Sequence, residues 1–134
     1  MTIGSPIAVS GGCHCGAVRY AVTLPAGARA HACNCSVCAA NGFIGVIVPA
    51  ALFSLTKGED ALTEYRFNTG VARHRFCSIC GTKSFYHPRS NPDGISVNLN
   101  CLELDGTIDV PVDAFNGQNW EQHAHTLRHL SEND

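Results

Sequence analysis

The sequence of 134 residues lacks the charge, the apolar length and the leader that mark several protein classes. Its formal net charge is only −2, so it has no bulk positive charge to attract nucleic acid or an anionic membrane. The longest apolar stretch, residues 43–53, contains Pro49 and is too short to span a bilayer. The first residues, MTIGSPIAVSGG, have no basic segment followed by an apolar one. We therefore expect a cytoplasmic protein with neither a nucleic-acid nor a membrane partner.

Two motifs of common enzyme classes are also missing. The sequence contains no G-x-G-x-x-G segment for dinucleotides and no G-x-S-x-G segment for serine hydrolases. Gly81-Thr82-Lys83-Ser84 resembles the end of a phosphate-binding loop, but its residue order is wrong and the upstream glycine is absent. We therefore expect no phosphate-binding loop at this segment.

Short alternating or β-branched segments separated by turn residues predict a mainly β fold of short antiparallel strands. The chain offers no linker composition, so we expect a single domain over residues 1–134. Ser36 and Gly42 bound one short predicted helical turn, and residues 119–130 predict an amphipathic one. The predicted strands are residues 17–24, 43–48, 62–67 and 71–77 (a hairpin around Asn68-Thr69-Gly70), 83–87 and 95–102.

The sequence has 8 cysteines, and seven of them fall into three clusters. The clusters are Cys13-His14-Cys15, Cys33-Asn34-Cys35-Ser36-Val37-Cys38 and Cys77-Ser78-Ile79-Cys80. Close, patterned cysteines in a reducing compartment favour metal ligands over disulfides, iron–sulfur ligation or a redox pair, although these alternatives stay open. Cys101 stands alone in an alternating segment, where a cysteine usually serves as a small hydrophobic residue.

Two pairs of cysteines together predict a closed metal site. Cys77 and Cys80, followed by Gly81, have the spacing of a zinc knuckle, but one pair supplies only half of a tetrahedral site. Cys13 and Cys15 offer a second pair. Four thiolates would complete a structural zinc that ties the N-terminal part of the chain to its middle.

The remaining cluster predicts a second zinc with a different character. Cys33, Cys35 and Cys38 offer three thiolates from one segment and leave the fourth corner for water or an external ligand, as in catalytic sites. A fourth protein ligand would close the corner instead. Cys101, His14 and His31 are the candidates by residue type, and the sequence does not decide between an open and a closed site.

Longer segments around these cysteines resemble a known family. The segments GGCHCGAVRY, CNCSVCAANG and FCSICGTKSFY, with the HPRSNPDG loop and VNLNCL, resemble the glutathione-dependent formaldehyde-activating enzymes, whose domain is shared with centromere protein V. The resemblance covers residues 11 to 121. It implies a β-rich fold with two zinc ions per chain, a structural one on Cys13, Cys15, Cys77 and Cys80 and a reactive one on Cys33, Cys35 and Cys38.

The resemblance also implies an activity, that of a carbon–sulfur lyase joining glutathione to formaldehyde. A zinc-bound thiol is deprotonated, which supplies the nucleophile for the aldehyde. The alkoxide that forms needs a proton, and the candidate donors by residue type are His31, His74 and His87. Three thiolates around one Zn²⁺ leave a net negative charge, so we also expect a cation to face the site. The candidate contacts for glutathione carboxylates are Arg73, Arg75 and Arg89.

A second hypothesis belongs to another class. A closed second zinc site would make the chain a non-catalytic zinc-binding domain that carries or senses a thiol, or docks a partner. The histidines near the C-terminus, His123, His125 and His129, are interpreted as a solvated tail rather than a metal site.

Overall fold

The computed structural model describes residues 3–34, 36–66, 70–91, 93–104, 106, 108–115 and 124–131. Ten strands lie within these residues, with one short α-helix and several 3₁₀ helices, which confirms the prediction of a mainly β fold. The strands are β1 (Ile7–Gly12), β2 (Arg19–Leu24), β3 (Ala30–Cys33), β4 (Ile44–Pro49), β5 (Phe53–Lys57), β6 (Leu62–Tyr65), β7 (Arg73–Cys77), β8 (Phe85–His87), β9 (Gly94–Asn98) and β10 (Val112–Phe115). The helices are α1 (Ser36–Asn41) and 3₁₀ segments at Ala50–Leu52, Glu59–Ala61, Leu99–Cys101 and Ala124–Ser131.

The strands form two sheets. The small sheet has the order β1-β2-β5, and the large sheet has the order β10-β3-β4-β9-β8-β7-β6. All pairs are antiparallel except β10 with β3, which is parallel, so the prediction of antiparallel strands alone was incomplete. A parallel pair needs a long connection between its strands. Nearly 80 residues separate β3 from β10, and no local pattern reveals such a partner.

The core lies between the two sheets. As the alternation predicts, Tyr20, Val22 and Leu24 of β2 point inward and are buried. The ring of Tyr20 packs against Phe53 and Phe85, with centroids 5.0 and 5.8 Å away. Its hydroxyl donates a hydrogen bond of 3.0 Å to the carbonyl of Ser84, which joins the small sheet to the large one. Each buried ring contributes about 1.5–3 kcal/mol to folding.

The large sheet has two faces, which we call the core face and the outer face. Val46, Val97 and Phe85 are paired across β4, β9 and β8, and they belong to the core between the sheets. Their chain neighbours point to the opposite, outer face because side chains alternate along a strand. The outer face carries the paired side chains Ile47, Ser96, Tyr86, His74 and Tyr65. Residues buried on both sides of β4 confirm the prediction for residues 43–48.

The 3₁₀ helix Ala124–Ser131 packs against the outer face. Leu127 forms an apolar cluster with Ile47 and Phe115. The buried amide of Asn91 donates hydrogen bonds of 2.8 Å to the carbonyl of Leu127 and to the Ser131 hydroxyl. The polar loop between β8 and β9 therefore anchors the C-terminal helix.

Several predicted boundaries differ from the structure. The strand predicted over 95–102 ends at Asn98, whose side chain accepts a hydrogen bond from the Asn100 amide and starts a 3₁₀ turn, so Cys101 does not lie on a strand. Only residues 124–131 of the predicted C-terminal helix are described, and they are 3₁₀ rather than α-helical. The hydrophobic pattern of the sequence did not predict β1, β5 or β10. Gly42 ends α1 with a φ of 64°, as predicted.

Among the described residues, no helix is both long and apolar enough to cross a lipid bilayer.

Candidate metal centre and reactive face

Two short loops of similar construction present four cysteines. The first follows β1 and carries Cys13 and Cys15, and the second follows β7 and carries Cys77 and Cys80. In each loop the N–H of the first cysteine donates to a carbonyl five residues later, Cys13 to Val18 at 3.1 Å and Cys77 to Thr82 at 3.0 Å. The backbone thus closes both loops in the same way.

In both loops, a glycine in the left-handed conformation makes the turn, and a backbone amide donates a hydrogen bond to a cysteine sulfur. Gly16 and Gly81 follow the second cysteine of each loop with φ angles of 82° and 77°, a conformation that costs other residues free energy. The amide of Val18 donates to Cys13 Sγ at 3.3 Å, and the amide of Ile79 donates to Cys77 Sγ at 3.4 Å. Such bonds favour a thiolate over a thiol.

The four sulfurs converge on one point. The Sγ atoms of Cys13, Cys15, Cys77 and Cys80 all lie within 4.8 Å of one another. Cys13 Sγ is 3.6 Å from Cys15 Sγ, which is 3.7 Å from Cys77 Sγ. A zinc ion with Zn–S bonds of about 2.3 Å places tetrahedral sulfurs about 3.8 Å apart. The cluster therefore has the donor type, number and spacing of a closed tetrahedral metal site.

The protonation behaviour of these thiols indicates the need for a cation. The amide of Ala17 lowers the pKa of Cys15, but desolvation and the three neighbouring cysteines together raise it to about 11. The hydroxyl of Thr82, 3.3 Å from Cys80 Sγ, lowers the pKa of Cys80 to about 5. Four neighbouring sulfurs cannot all ionise without a cation between them, because like charges at this distance repel.

The position of this cluster explains how a bound metal would stabilise the fold. Cys13 and Cys77 are fully buried in the core, whereas Cys15 is exposed. One loop leaves the small sheet and the other leaves the large sheet, so a shared ion would cross-link the two layers. None of the seven cysteines that the structure describes is in a disulfide.

The second predicted cluster lies elsewhere. Cys33 ends β3 and faces the outer side of the large sheet, where it packs against the apolar cluster of Ile47, Phe115 and Leu127. Cys38 is buried in α1, directly beyond β3. Cys35 lies outside the described residues. Neither Cys33 nor Cys38 belongs to the four-cysteine cluster.

The three histidines predicted as proton donors occupy different positions. His31 shares the outer face with Cys33, and its buried Nδ1 has no hydrogen-bond partner among the described residues. Burial lowers the pKa of His31. His74 is buried on the outer face, while His87 lies on the opposite face, beside Phe85, with its pKa lowered by burial. Two of the three thus share a face with Cys33.

Among the predicted arginines, Arg73 and Arg75 pair with acidic residues. Arg73 Nε lies 2.8 Å from Glu64, and Arg75 lies 3.0 Å from Glu59 with its guanidinium over the ring of Phe85. Both alternate with His74 along β7 and therefore point away from the outer face. Arg89 is half-buried in the loop between β8 and β9. Their contact with a glutathione carboxylate remains a prediction.

A cation that the sequence reasoning did not select lies on the outer face instead. Lys83 is 6% exposed, and its Nζ is 2.8 Å from Nδ1 of His74. The same Nζ is 4.1 Å from the ring centroid of Tyr86 and 4.8 Å from that of Phe43. We call these four residues the lysine box. In the sequence, Lys83 begins the aromatic segment KSFYH and is one of two lysines in the chain. This position is the signal that could have indicated a lysine packed against aromatic rings.

The candidate fourth ligands and the described C-terminal histidines lie in different parts of the fold. Burial, then the charges of Cys13 and Cys80, raise the pKa of Cys101, so Cys101 lies near the four-cysteine cluster. His14 is exposed in the loop of Cys13 and Cys15. His125 and His129 are exposed, and His123 lies outside the described residues. Of the three candidates for closing the second site, only His31 shares a face with Cys33.

Comparison with known proteins agrees with this architecture. Residues 8–118 match the family model described as glutathione-dependent formaldehyde-activating enzyme. The chain belongs to this family. A crystal structure of a Rhodobacter sphaeroides protein, a structural genomics target, superposes with a TM-score of 0.69 at 37% sequence identity, covering 78% of this chain and 99% of that one. The resemblance inferred from the cysteine segments is therefore confirmed, and the described part of this family member contains a four-cysteine cluster able to bind a metal.

Proposed function

We propose that the protein is a zinc-dependent carbon–sulfur lyase that joins glutathione, or a similar thiol, to formaldehyde or a related small aldehyde. The observation that carries the proposal is the separation of the two cysteine groups. Cys13, Cys15, Cys77 and Cys80 form a complete donor set by themselves, so Cys33 on the outer face and Cys38 in α1 are left for a second role.

The two groups suit two zinc ions of different function. In this proposal the first group holds a structural ion, and Cys33, Cys35 and Cys38 hold a reactive one with room for an external ligand. Zinc lets a bound thiol ionise at neutral pH, which supplies the nucleophile for an aldehyde. The three cysteines would hold the ion, and the burial of Cys38 would limit the access of water that hydrates the aldehyde.

Family membership supports glutathione and formaldehyde as the partners, since the family is described by them. We also expect the cytoplasm as the compartment. A reducing environment keeps all of these thiols available for metal binding.

Cobalt substitution and proton NMR test the proposal together. Elemental analysis of freshly reduced protein should find up to two zinc ions per chain. After replacement by Co²⁺, adding glutathione should move one site from three sulfur ligands to four in the visible spectrum. The rate at which glutathione and formaldehyde exchange with their adduct, followed by magnetisation transfer, should rise with protein concentration.

Each measurement has an outcome that contradicts the proposal. If the purified protein contains no zinc, or contains iron instead, the proposed zinc chemistry is contradicted. A cobalt spectrum that glutathione does not change contradicts the binding of a thiol at the second metal site. A spectral change without faster exchange retains the thiol site and excludes formaldehyde as the aldehyde.

One observation favours a second candidate, the non-catalytic zinc-binding domain. The buried Nδ1 of His31 lacks a hydrogen-bond partner among the described residues and shares β3 and the outer face with Cys33. An imidazole nitrogen in that situation is a candidate fourth ligand. A cobalt spectrum of three sulfurs and one nitrogen, unchanged by thiols and altered in His31→Phe, would establish this closed site.

A further inference from the structure

Three side chains form a row along β3 on the outer face, and we call them the β3 row. They are Arg29, directly before the strand, His31 and Cys33, which follow one another at about 6.6 Å because alternate residues share a face. Asp113 of β10 is paired with His31 in the parallel register and lies beside it. Its Cα is therefore about 8 Å from that of Cys33, since neighbouring strands are about 4.8 Å apart.

An ion pair of fixed geometry lies at the end of the row away from Cys33. Arg29 Nε is 2.6 Å from one carboxylate oxygen of Asp113, and Arg29 Nη2 is 2.7 Å from the other. No other arginine in the described part of the chain binds both oxygens of one carboxylate. These hydrogen bonds raise the pKa of Arg29 and lower the pKa of Asp113, so both side chains are charged at neutral pH.

This ion pair retains part of its binding capacity. A guanidinium has five N–H donors and a carboxylate has about four acceptor positions, and the two hydrogen bonds use two of each. Both side chains are accessible, with exposed fractions of 52% for Arg29 and 40% for Asp113. The free edge of the guanidinium suits a carboxylate of a ligand, and the free positions of the Asp113 carboxylate suit an ammonium.

His31 lies between the ion pair and Cys33. Its buried Nδ1 has no hydrogen-bond partner among the described residues. A buried polar atom in this situation is uncommon in folded proteins, because it has lost its hydrogen bond to water and gained none in exchange. A ligand that follows the β3 row with a peptide group at this point would supply the missing partner.

Glutathione carries the groups that this arrangement would recognise. Its γ-glutamyl arm ends in a carboxylate and an ammonium on one carbon atom, and a peptide group joins the arm to the cysteine. In an extended conformer that carbon atom is about 8 Å from the thiol sulfur, since three successive chain bonds span about 3.3–3.6 Å. The arm is therefore about as long as the distance from Cys33 to Asp113.

We propose that Arg29 and Asp113 are the specificity-determining residues that bind the amino-acid end of the γ-glutamyl arm while the thiol lies at the Cys33 end of the row. This inference rests on the proposed function and narrows its thiol to one that carries a zwitterionic amino-acid group. The ligand carboxylate pairs with Arg29 and the ligand ammonium pairs with Asp113, so charges of opposite sign alternate through four groups. Arg73 and Arg75, the cations expected from the sequence, point to the other face of the sheet.

The closing experiment measures kcat and KM with three thiols. They are glutathione, N-acetylglutathione, which lacks the ammonium, and N-acetylcysteinylglycine, which lacks the whole γ-glutamyl arm. The wild type should have a KM on the order of 10-fold lower for glutathione than for N-acetylcysteinylglycine, the typical effect of a charged hydrogen bond. Arg29→Met should remove this difference by raising the KM for glutathione, with kcat changed less than threefold, because the arm is bound equally before and during the reaction.

Asp113→Asn tests the ammonium contact by itself. Asparagine retains an acceptor for Arg29 and removes the charge that faces the ammonium. The KM for glutathione should rise on the order of 10-fold in this variant, whereas the KM for N-acetylglutathione should stay within twofold of the wild type. Arg19→Met is the matched control, because it removes a partly exposed arginine from the ion pair with Glu103 and should match the wild type with all three thiols.

A second measurement depends neither on turnover nor on a free thiol. S-methylglutathione retains the γ-glutamyl arm, but its sulfur is blocked. Saturation-transfer NMR should show contact between its γ-glutamyl protons and the wild-type protein. The signal should disappear in Arg29→Met and persist in Arg19→Met. Equal signals in the wild type and Arg29→Met would contradict the binding of the arm by the ion pair.

The outcomes separate this inference from the proposed function. A wild type that neither accelerates the reaction nor binds S-methylglutathione contradicts both. Binding of S-methylglutathione that requires Arg29, without an accelerated reaction, contradicts the lyase and supports the ion-pair site. An active wild type with equal KM values for glutathione and N-acetylcysteinylglycine contradicts the role of the ion pair alone. That comparison needs no variant, so it decides the matter even if Arg29→Met does not fold.

Discussion

The four-cysteine cluster and the outer face of the large sheet show two ways of using cysteine in one domain. The cluster takes its sulfurs from two distant loops that the backbone closes identically, with Cys13 and Cys77 each hydrogen-bonded through its amide five residues ahead. On the outer face, Cys33 and Cys38 come from one short segment at the end of β3 and the start of α1.

The surroundings of the two regions differ as much as their construction. The cluster is supported by the apolar core between the sheets. The outer face instead combines the lysine box, an apolar patch under the C-terminal helix and the buried Nδ1 of His31, which has no hydrogen-bond partner among the described residues. A complete set of four donors suits a structural metal, and buried polar groups that lie together are typical of functional sites.

The largest expected effect separates the two cysteine groups. Cys77→Ser should lose the structural metal and unfold the domain, because zinc binding in small domains contributes about 10 kcal/mol, comparable with a domain's whole stability. Cys33→Ser should retain a cooperative thermal transition and one bound metal while losing the thiol-dependent change in the cobalt spectrum. Thermal melts and metal content measure both. If Cys33→Ser is the less stable of the two, the structural and reactive assignments are reversed.

The second prediction concerns Gly45, a glycine of β4 whose substitution should disturb the packing of the outer face. A Cβ on Gly45 would lie 2.3 Å from the Ser96 hydroxyl and 3.0 Å from the Phe43 ring, so Gly45→Ala must displace the Ser96 side chain and shift the Phe43 ring slightly. We expect a loss of about 1–3 kcal/mol in urea unfolding, typical of overpacking, together with reduced turnover. Gly4→Ala is the control, because its Cβ would meet nothing within 4 Å. Unchanged turnover in Gly45→Ala would show that Phe43 does not position the reactive face.

The third prediction concerns the cover of the outer face. Asn91→Ala removes three hydrogen bonds to the C-terminal helix, to the carbonyls of Leu127 and Arg128 and to the Ser131 hydroxyl, and it leaves the buried carbonyl of Leu127 without this donor. Leaving such a group unpaired costs about 1–3 kcal/mol. Hydrogen exchange should accelerate in residues 124–131 while the amides of the Cys77 loop retain their protection. Uniform acceleration in both regions would contradict the local role of Asn91.

The smallest effect is a pH dependence at His31. Burial lowers the folded-state pKa of His31 below its ordinary value of 6.5, so the unfolded chain binds the proton more readily. The stability it contributes is complete above pH 6.5 and declines as the pH falls below that value. His31→Phe should therefore flatten the stability curve between pH 7.5 and about 5.5. His125→Phe, on the exposed C-terminal helix, should leave the curve unchanged. Parallel curves for the wild type and His31→Phe would contradict this assignment.

Local patterns in the sequence determined more of the first region than of the second. The spacing of Cys77 and Cys80, followed by Gly81, already predicted a zinc knuckle that needs a second pair, and Cys13 and Cys15 offered that pair. The alternation of β2, the double burial of β4 and the end of α1 at Gly42 were also readable, because each depends on neighbours a few residues away.

Only the tertiary structure decided which side chains share a face. Strand register sends His74 to the outer face and Arg73 and Arg75 to the other, although the three residues are consecutive. It also brings Lys83 to His74 and to a ring from beyond α1, and it pairs β10 with a strand nearly 80 residues earlier. Spacing limits what one segment can bind, but the face and the distant partners depend on long-range pairing that the hydrophobic pattern of one strand does not encode.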